Sequence, residues 1–381
     1  MLAVALSLLV HFSVCAQDAA GKPLGQTFCN TEFHPAYTPS FEVDGAQIPV
    51  RNIILMIGDG MGLTHVVSAM YANRNQLTMT NLKHIGFVRT QSLSDFTTDS
   101  AASGTAYATG VKTKNGCIGV DSLGNPLKNL PEKLAPLGYA CGVITTDNMD
   151  GATPAAFYAH RISRNMFDGI LDDLPDSKLT LFAGGSREKV NSTRPELWDE
   201  LQKAGYTVVS DHSDCAAIDA PKLGILPPAA RTASIKENRG DFLPATTAFA
   251  LPYLASKSSK GFFIMIEGAR IDKSSHNMDF STSIRETLDF DLAVEAAIRF
   301  AEKEGNTLVI ISADHETGGL SMGTRGDITK GEVEGFFRSG VHSPVMVPLF
   351  AYGPHADMFT GIQENNEVSE KILWLLSRCA D

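Results

Sequence analysis

Acids and imidazoles follow closely on several short apolar runs of this chain. After 52–57 come Gly58-Asp59-Gly60-Met61-Gly62; after 262–266 come Glu267, then Asp272 and His276; after 307–312 come Asp314 and His315. Taken singly, each Asp reads as the cap of a following helix or turn. Taken together they are a set of carboxylates and imidazoles that is costly to desolvate, and bound cations compensate such a set best. Zinc takes His nitrogen and Asp oxygen in tetrahedral sets and, where it is catalytic, keeps one position open. Asp272 and His276, spaced i,i+4, offer one pair of ligands, and Asp314 with His315 offers another. His342, in Ser339-Gly340-Val341-His342-Ser343-Pro344, is a candidate third ligand for the first pair, whereas His84, His160 and His355 lack such company and read as structural.

The candidate nucleophile is Ser100, in Thr97-Thr98-Asp99-Ser100-Ala101-Ala102-Ser103-Gly104-Thr105-Ala106. Small residues after it let a helix pack close beneath a site. A serine at the start of that helix meets a dipole that favours anions. By itself this is an ordinary Ser N-cap. No G-x-S-x-G elbow surrounds it and no histidine is evidently free to act as its base, so activation by a metal is the economical route.

The elements that must position these residues alternate. Apolar runs at 52–57, 86–90, 140–145, 179–182, 206–210, 262–266, 307–312 and 347–352 read as buried strands. Helical spacing covers 63–74, 100–109, 154–161, 194–203, 245–255, 281–303 and 367–379, with Thr153 and Pro154 matching an N-cap followed by a first-turn proline. This predicts an α/β protein with a doubly wound, mostly parallel central sheet and helices on both faces. In such sheets ligands bind beyond the carboxyl ends of the strands, where the acids and imidazoles lie.

With 381 residues, 43% apolar and 20% charged, the chain can bury a large core. A net charge of −11 argues against a nucleic-acid partner, so a bound phosphate must meet a local positive centre. The apolar stretch 2–14 is too short to span a bilayer, and Val14-Cys15-Ala16 before Gln17 resembles a cleavage site. We expect a signal peptide at 1–16, hence a periplasmic or secreted protein; a lipid anchor on Cys15 is the rival, disfavoured by the bulk of Val14. No later stretch is a transmembrane candidate. An irregular lead-in, 17–49, then precedes a single catalytic domain, 50–381. Cys29, Cys117, Cys141, Cys215 and Cys379 form no disulfide framework, although one bridge among them is allowed, and Cys141 reads as an inert core thiol.

Asp59-Gly60-Met61-Gly62, Thr98-Asp99-Ser100-Ala101-Ala102 with Gly110-Val111-Lys112-Thr113, Ala152-Thr153-Pro154-Ala155, Glu267-Gly268-Ala269-Arg270-Ile271-Asp272-Lys273 and Ala313-Asp314-His315 resemble the alkaline phosphatases. The likeness runs in family order from about Asn52 to Pro354. It implies a phosphomonoesterase with two Zn2+ and one Mg2+ per chain. Asp272, His276 and His342 would hold the first zinc, and Asp59, Asp314 and His315 the second with Ser100. Asp59 would also bridge to a magnesium completed by Thr153 and Glu267. Arg164 would clamp phosphate, positioned by Asp99, because a guanidinium fork matches two phosphate oxygens; Lys273 would reach phosphate through water. The implied reaction is hydrolysis of small-molecule phosphate monoesters, with broad specificity, through a phosphoserine on Ser100, by a homodimer. One position departs from the pattern: Gly151, two before Thr153, stands where many relatives carry Asp or His, so the outer shell of the third metal must differ.

The rival readings are a diesterase or phosphomutase of the same superfamily, and a phosphate-binding protein that kept the fold. A sulfatase would need Pro and Arg after the nucleophile, which Ser100-Ala101-Ala102 lacks.

Overall fold

The computed structural model describes residues 25–217 and 220–378; the expected leader at 1–16, with Cys15, and Cys379 lie outside the described residues. Ile53 to Ile57, Phe262 to Ile266 and Leu308 to Ile311 are all fully shielded from water. Successive strand residues point to opposite faces, so both faces of the sheet here are covered. Ten strands form this sheet, in the spatial order Gly361–Glu364, His84–Arg89, Val347–Tyr352, Thr307–Ser312, Asn52–Gly58, Phe262–Gly268, Ala140–Asn148, Leu181–Gly185, Lys222–Ile225, Tyr206–Val209. Only Val347–Tyr352 runs antiparallel to its neighbours. The doubly wound, mostly parallel α/β sheet expected from the alternation is the observed fold.

Two helices show how the sequence sets their limits. Ser100–Thr109 starts on Asp99, whose side chain caps Ala102 N–H, and stops at Gly110 in the left-handed region (φ 80°). Every residue of this helix is buried, which its Ala, Ser and Gly content permits. Phe280–Glu304 is capped by Asp279 and ends at Gly305, and it packs on Phe242–Lys257 and Leu63–Ala72.

Three expectations need correction. The helix predicted over 154–161 is a single turn, Ala152–Ala155, capped by Gly151 rather than Thr153. Ala155 to Ala159 are buried on every side, which leaves no polar face to define a longer helix, and Arg161 is pulled into a backbone bridge with Ile118. The lead-in is not irregular throughout: Gln26–Cys29 pairs with Glu332–Phe336, which pairs with Ser321–Asp327 in a small antiparallel sheet. Helix starts Leu197–Lys203, three residues beyond the predicted 194, because Arg187–Thr193 forms a separate helix before it.

Register brings the candidate residues to one edge. Ile57 lies opposite both Glu267 and Ser312, and Thr145 lies opposite Glu267. Asp59, Glu267, Asp314 and the end of the Ala140–Asn148 strand therefore emerge together.

Candidate metal centre

Ser100 is the first residue of its helix and is 4% exposed; Asp99, not Ser100, is the N-cap. Asp99 Oδ1 accepts from Ala102 N at 3.0 Å, and Oδ2 accepts from Gly116 N at 3.0 Å and from Arg164 Nη1 at 3.1 Å. One carboxylate thus fixes the helix start and aims Arg164 beside it.

Asp272 and His276 lie on the short helix Arg270–His276, and His342 comes from a two-residue strand paired with Glu316–Thr317. His276 Nδ1 donates to Gly340 O at 2.8 Å and His342 Nδ1 donates to Thr98 O at 2.9 Å. With both Nδ1 atoms used as donors, each neutral ring presents a lone pair at Nε2. Those two Nε2 atoms face each other at 3.1 Å, and they lie 3.2 and 3.6 Å from the oxygens of Asp272. Such a group needs a proton or a metal cation at its centre. Burial pushes the Asp272 carboxyl up, but with a proton on His276 Nε2 the hydrogen bond from that ring and the nearby imidazoles outweigh it and hold the group below the usual carboxylate range. His276 is raised through the same bond to Asp272.

The second group is fully enclosed. His315 Nε2 lies 3.2 Å from Asp314 Oδ2, 3.5 Å from Asp59 Oδ1 and 3.2 Å from Ser100 Oγ. Thr317 donates its hydroxyl proton to Asp272 Oδ1, so at 3.2 Å from His315 Nδ1 it can only accept. That arrangement again leaves His315 Nε2 as a lone pair, now among carboxylate oxygens. Asp59 Oδ1 and Asp314 Oδ2 are buried without any hydrogen-bond partner in the protein. Burial, then Asp314, Asp272 and Glu267, raise Asp59 well above its usual range, while burial lowers His315 to about 4. Gly60, at φ 73°, keeps the turn after Asp59 tight; a Cβ there would lie 2.8 Å from Thr317 Oγ1 and 2.9 Å from the Asp272 backbone.

Glu267 forms the third part. Its Oε2 accepts from Thr145 Oγ1, and burial followed by the charge of Asp147 pushes its pKa up to about 8. Thr153 Oγ1 is buried and unpartnered. Lys273 pairs with Asp147. Buried orphan oxygens, lone pairs turned toward carboxylates and a mixed Asp/His donor set all fit metal cations. Asp272, His276 and His342 could hold one ion, and Asp59, Asp272 and His315 form a second group with mutually close ligand atoms.

All twelve residues singled out in the sequence lie at this edge of the sheet or, for Asp99 and Arg164, beside the helix that starts there. Three participants were missed. Asp147 obeys the rule that found the others, an acid just past a buried run, applied to 140–145. Thr145 and Thr317 carried no signal beyond a hydroxyl near a candidate ligand. His84 and His160 are structural, as expected, pairing with Asp44 and Glu132. Cys29, Cys117 and Cys141 are free thiols, and burial raises Cys141 strongly, in keeping with an inert core thiol.

The fold and its acid–imidazole edge define an α/β protein with a candidate metal centre beyond the carboxyl ends of its strands, and comparison with known proteins narrows the class. A model of the family described as alkaline phosphatase matches residues 50–334, ending before His342. Alkaline phosphatase 4 of Bacillus subtilis is 35% identical over 295 residues, which span 73% of this chain and 64% of the relative's length. The alkaline phosphatase of Escherichia fergusonii is 30% identical over 400 residues, 84% of each chain. The solved alkaline phosphatase from the Antarctic bacterium TAB5 superposes with a TM-score of 0.81 at 36% identity, covering 87% of this chain and 99% of that one. The chain belongs to the alkaline phosphatase family.

Proposed function

We propose that this protein hydrolyses phosphate monoesters with broad specificity, through a phosphoserine on Ser100, using two Zn2+ and one Mg2+. The observation that carries the reading is Ser100 Oγ at the buried start of its helix, 3.2 Å from the imidazole that also meets Asp59 and Asp314. Asp272, His276 and His342 would hold one zinc; Asp59, Asp314, His315 and Ser100 the other; Asp59, Thr153 and Glu267 the magnesium. Bound there, the cations supply Lewis-acid stabilisation of the oxygens that attack and leave in an in-line displacement.

The chain's own residues do the rest. Arg164, held by Asp99, pairs with two phosphoryl oxygens. The first turn of Ser100–Thr109 offers N–H groups and a favourable dipole to the anion. Ser100 Oγ gives up its proton to solvent and attacks phosphorus; the ester P–O bond breaks and the departing alkoxide takes a proton back from solvent, so the step is proton-neutral. Water then attacks the phosphoserine, the bond to Oγ breaks, and inorganic phosphate leaves with Ser100 restored. Both displacements depend on positioning and charge more than on side-chain acid–base work. A groove of about 1160 Å³ opens beside His342, lined by Leu63, Leu320, Val341 and Met346 among others, and its open apolar wall supports tolerance of varied leaving groups.

Residues 50–381 would form the catalytic domain of a homodimer acting in the periplasm or outside the cell. The apolar stretch 2–14 supports that location, and among the described residues no helix is long and apolar enough to cross a membrane.

Hydrolysis of a chromogenic phosphomonoester, against the matching diester and sulfate ester, tests the reading at mildly alkaline pH with zinc and magnesium. We expect monoester turnover that a chelator removes and that Ser100→Ala lowers by at least ~10³-fold. Turnover confined to the diester or sulfate would refute it.

A further inference from the structure

Asp147 is the penultimate residue of the Ala140–Asn148 strand, two residues beyond Thr145, the register partner of Glu267. Its N–H donates to Thr145 Oγ1 at 2.8 Å, and the same hydroxyl donates to Glu267 Oε2. Its Oδ1 takes the ammonium of Lys273. One carboxylate therefore links Lys273 to the strand end that carries Glu267.

The other oxygen explains an unusual neighbour. A Cβ on Gly151 would sit 2.8 Å from Asp147 Oδ2 and 2.9 Å from Asn148 O. Gly151 has φ −62° and ψ 152°, an extended conformation open to any residue. Glycine is demanded there by space, not by backbone geometry. Two residues on, Thr153 is 1% exposed and its Oγ1 has no partner, on a helical turn that packs against the strands of both Asp147 and Glu267.

We propose that Asp147 is the outer carboxylate of the third-cation pocket, a positioning residue that orients Lys273 and holds the hydration shell of the ion, and that Asp147 and the Asn148 carbonyl together leave room only for glycine at 151. The inference rests on the metal reading above. Magnesium keeps several of its waters, so the anionic groups that accept from those waters set its affinity as much as its direct ligands do. Asp147, beside Glu267 and pinned between Lys273 and Gly151, is placed to be such a group. The competing account is a surface ion pair with no bearing on the ion, since Lys273 and Asp147 are both partly exposed.

Titration calorimetry with Mg2+ on protein whose zinc content has been measured separates the two. Wild type and Asp147→Asn are compared. Asp147→Asn weakens Mg2+ binding by about 10–100-fold with zinc content unchanged. Wild-type affinity in Asp147→Asn, or no Mg2+ binding by zinc-loaded wild type, overturns the proposal. Wild type that takes up no zinc defeats the underlying metal reading instead, so the two failures are told apart.

Discussion

At Arg239 the protein buries a guanidinium between two carboxylates: Nη2 donates to Glu286 Oε2 at 2.7 Å and to Asp289 Oδ2 at 2.6 Å, and Nη1 donates to Ala233 O at 3.0 Å. At the carboxyl end of the sheet it buries Asp59, Glu267, Asp272 and Asp314 around His315, with no Lys or Arg buried among them. The first cluster supplies its own cation, which reaches both carboxylates, and only the guanidinium Nε is left without a partner. The second leaves Asp59 Oδ1 and Asp314 Oδ2 without a partner. Burial alone therefore does not mark a functional site. What marks it is buried charge that the chain does not balance, because a fold keeps such a cluster only when something outside the chain compensates it.

This contrast predicts opposite responses to losing a charge. Arg239→Met removes the internal cation and should lower stability by about 3–5 kcal/mol in urea unfolding, since two buried carboxylates then stand alone. An unchanged midpoint would break the comparison at its structural end.

The metal centre should respond to pH in the metal-free protein. Glu267 holds its proton up to about 8 when folded, far above an unfolded glutamate, and Asp59 is raised in the same direction. The folded state thus binds more protons than the unfolded chain, and stability falls as pH rises. His315, lowered to about 4, works the other way, but only below the unfolded histidine value near 6.5. From pH 6.5 to 8 the chelated protein should lose about 1–2 kcal/mol of stability, and saturating zinc and magnesium should abolish the slope. A flat profile without metal would argue that these carboxylates are not strained by one another.

A smaller effect completes the set. Asp59→Asn removes one unbalanced charge and should raise the stability of the metal-free protein by about 1 kcal/mol, while lowering its zinc affinity. Destabilisation of the metal-free form by this change would place Asp59 with the self-balanced cluster.

How much of this could be read from the sequence follows from the same physics. The strands Thr307–Ser312 and Val347–Tyr352 and the helix Ser100–Thr109 agree residue for residue with their predicted spans, because uninterrupted apolar runs and a clear Asp99 to Gly110 frame leave little choice. The turn at Ala152–Ala155 was overextended because a segment buried on all sides has no period to end. Ser321–Asp327 escaped notice because its residues are mostly exposed and its partner strand supplies the order. Most candidate ligands could be picked out by their place after an apolar run, and spacing already grouped Asp272 and His276 with His342 and paired Asp314 with His315, whereas adding Asp59 and Ser100 to the second group, and the Thr153–Glu267 set, came from family likeness. That three imidazoles turn Nε2 toward carboxylates depends on acceptors at Thr98, Gly340 and Thr317, which no spacing rule connects to His342, His276 and His315.

The central claim is that Ser100 is the residue that receives the phosphoryl group. Metal-loaded protein mixed with a phosphomonoester, quenched in acid and digested, can be examined by mass spectrometry for the phosphorylated residue. The account predicts a single phosphoryl group on Ser100, absent from Ser100→Ala and from chelated protein. Undiminished turnover by Ser100→Ala, or phosphate carried by another residue such as His315, would contradict it.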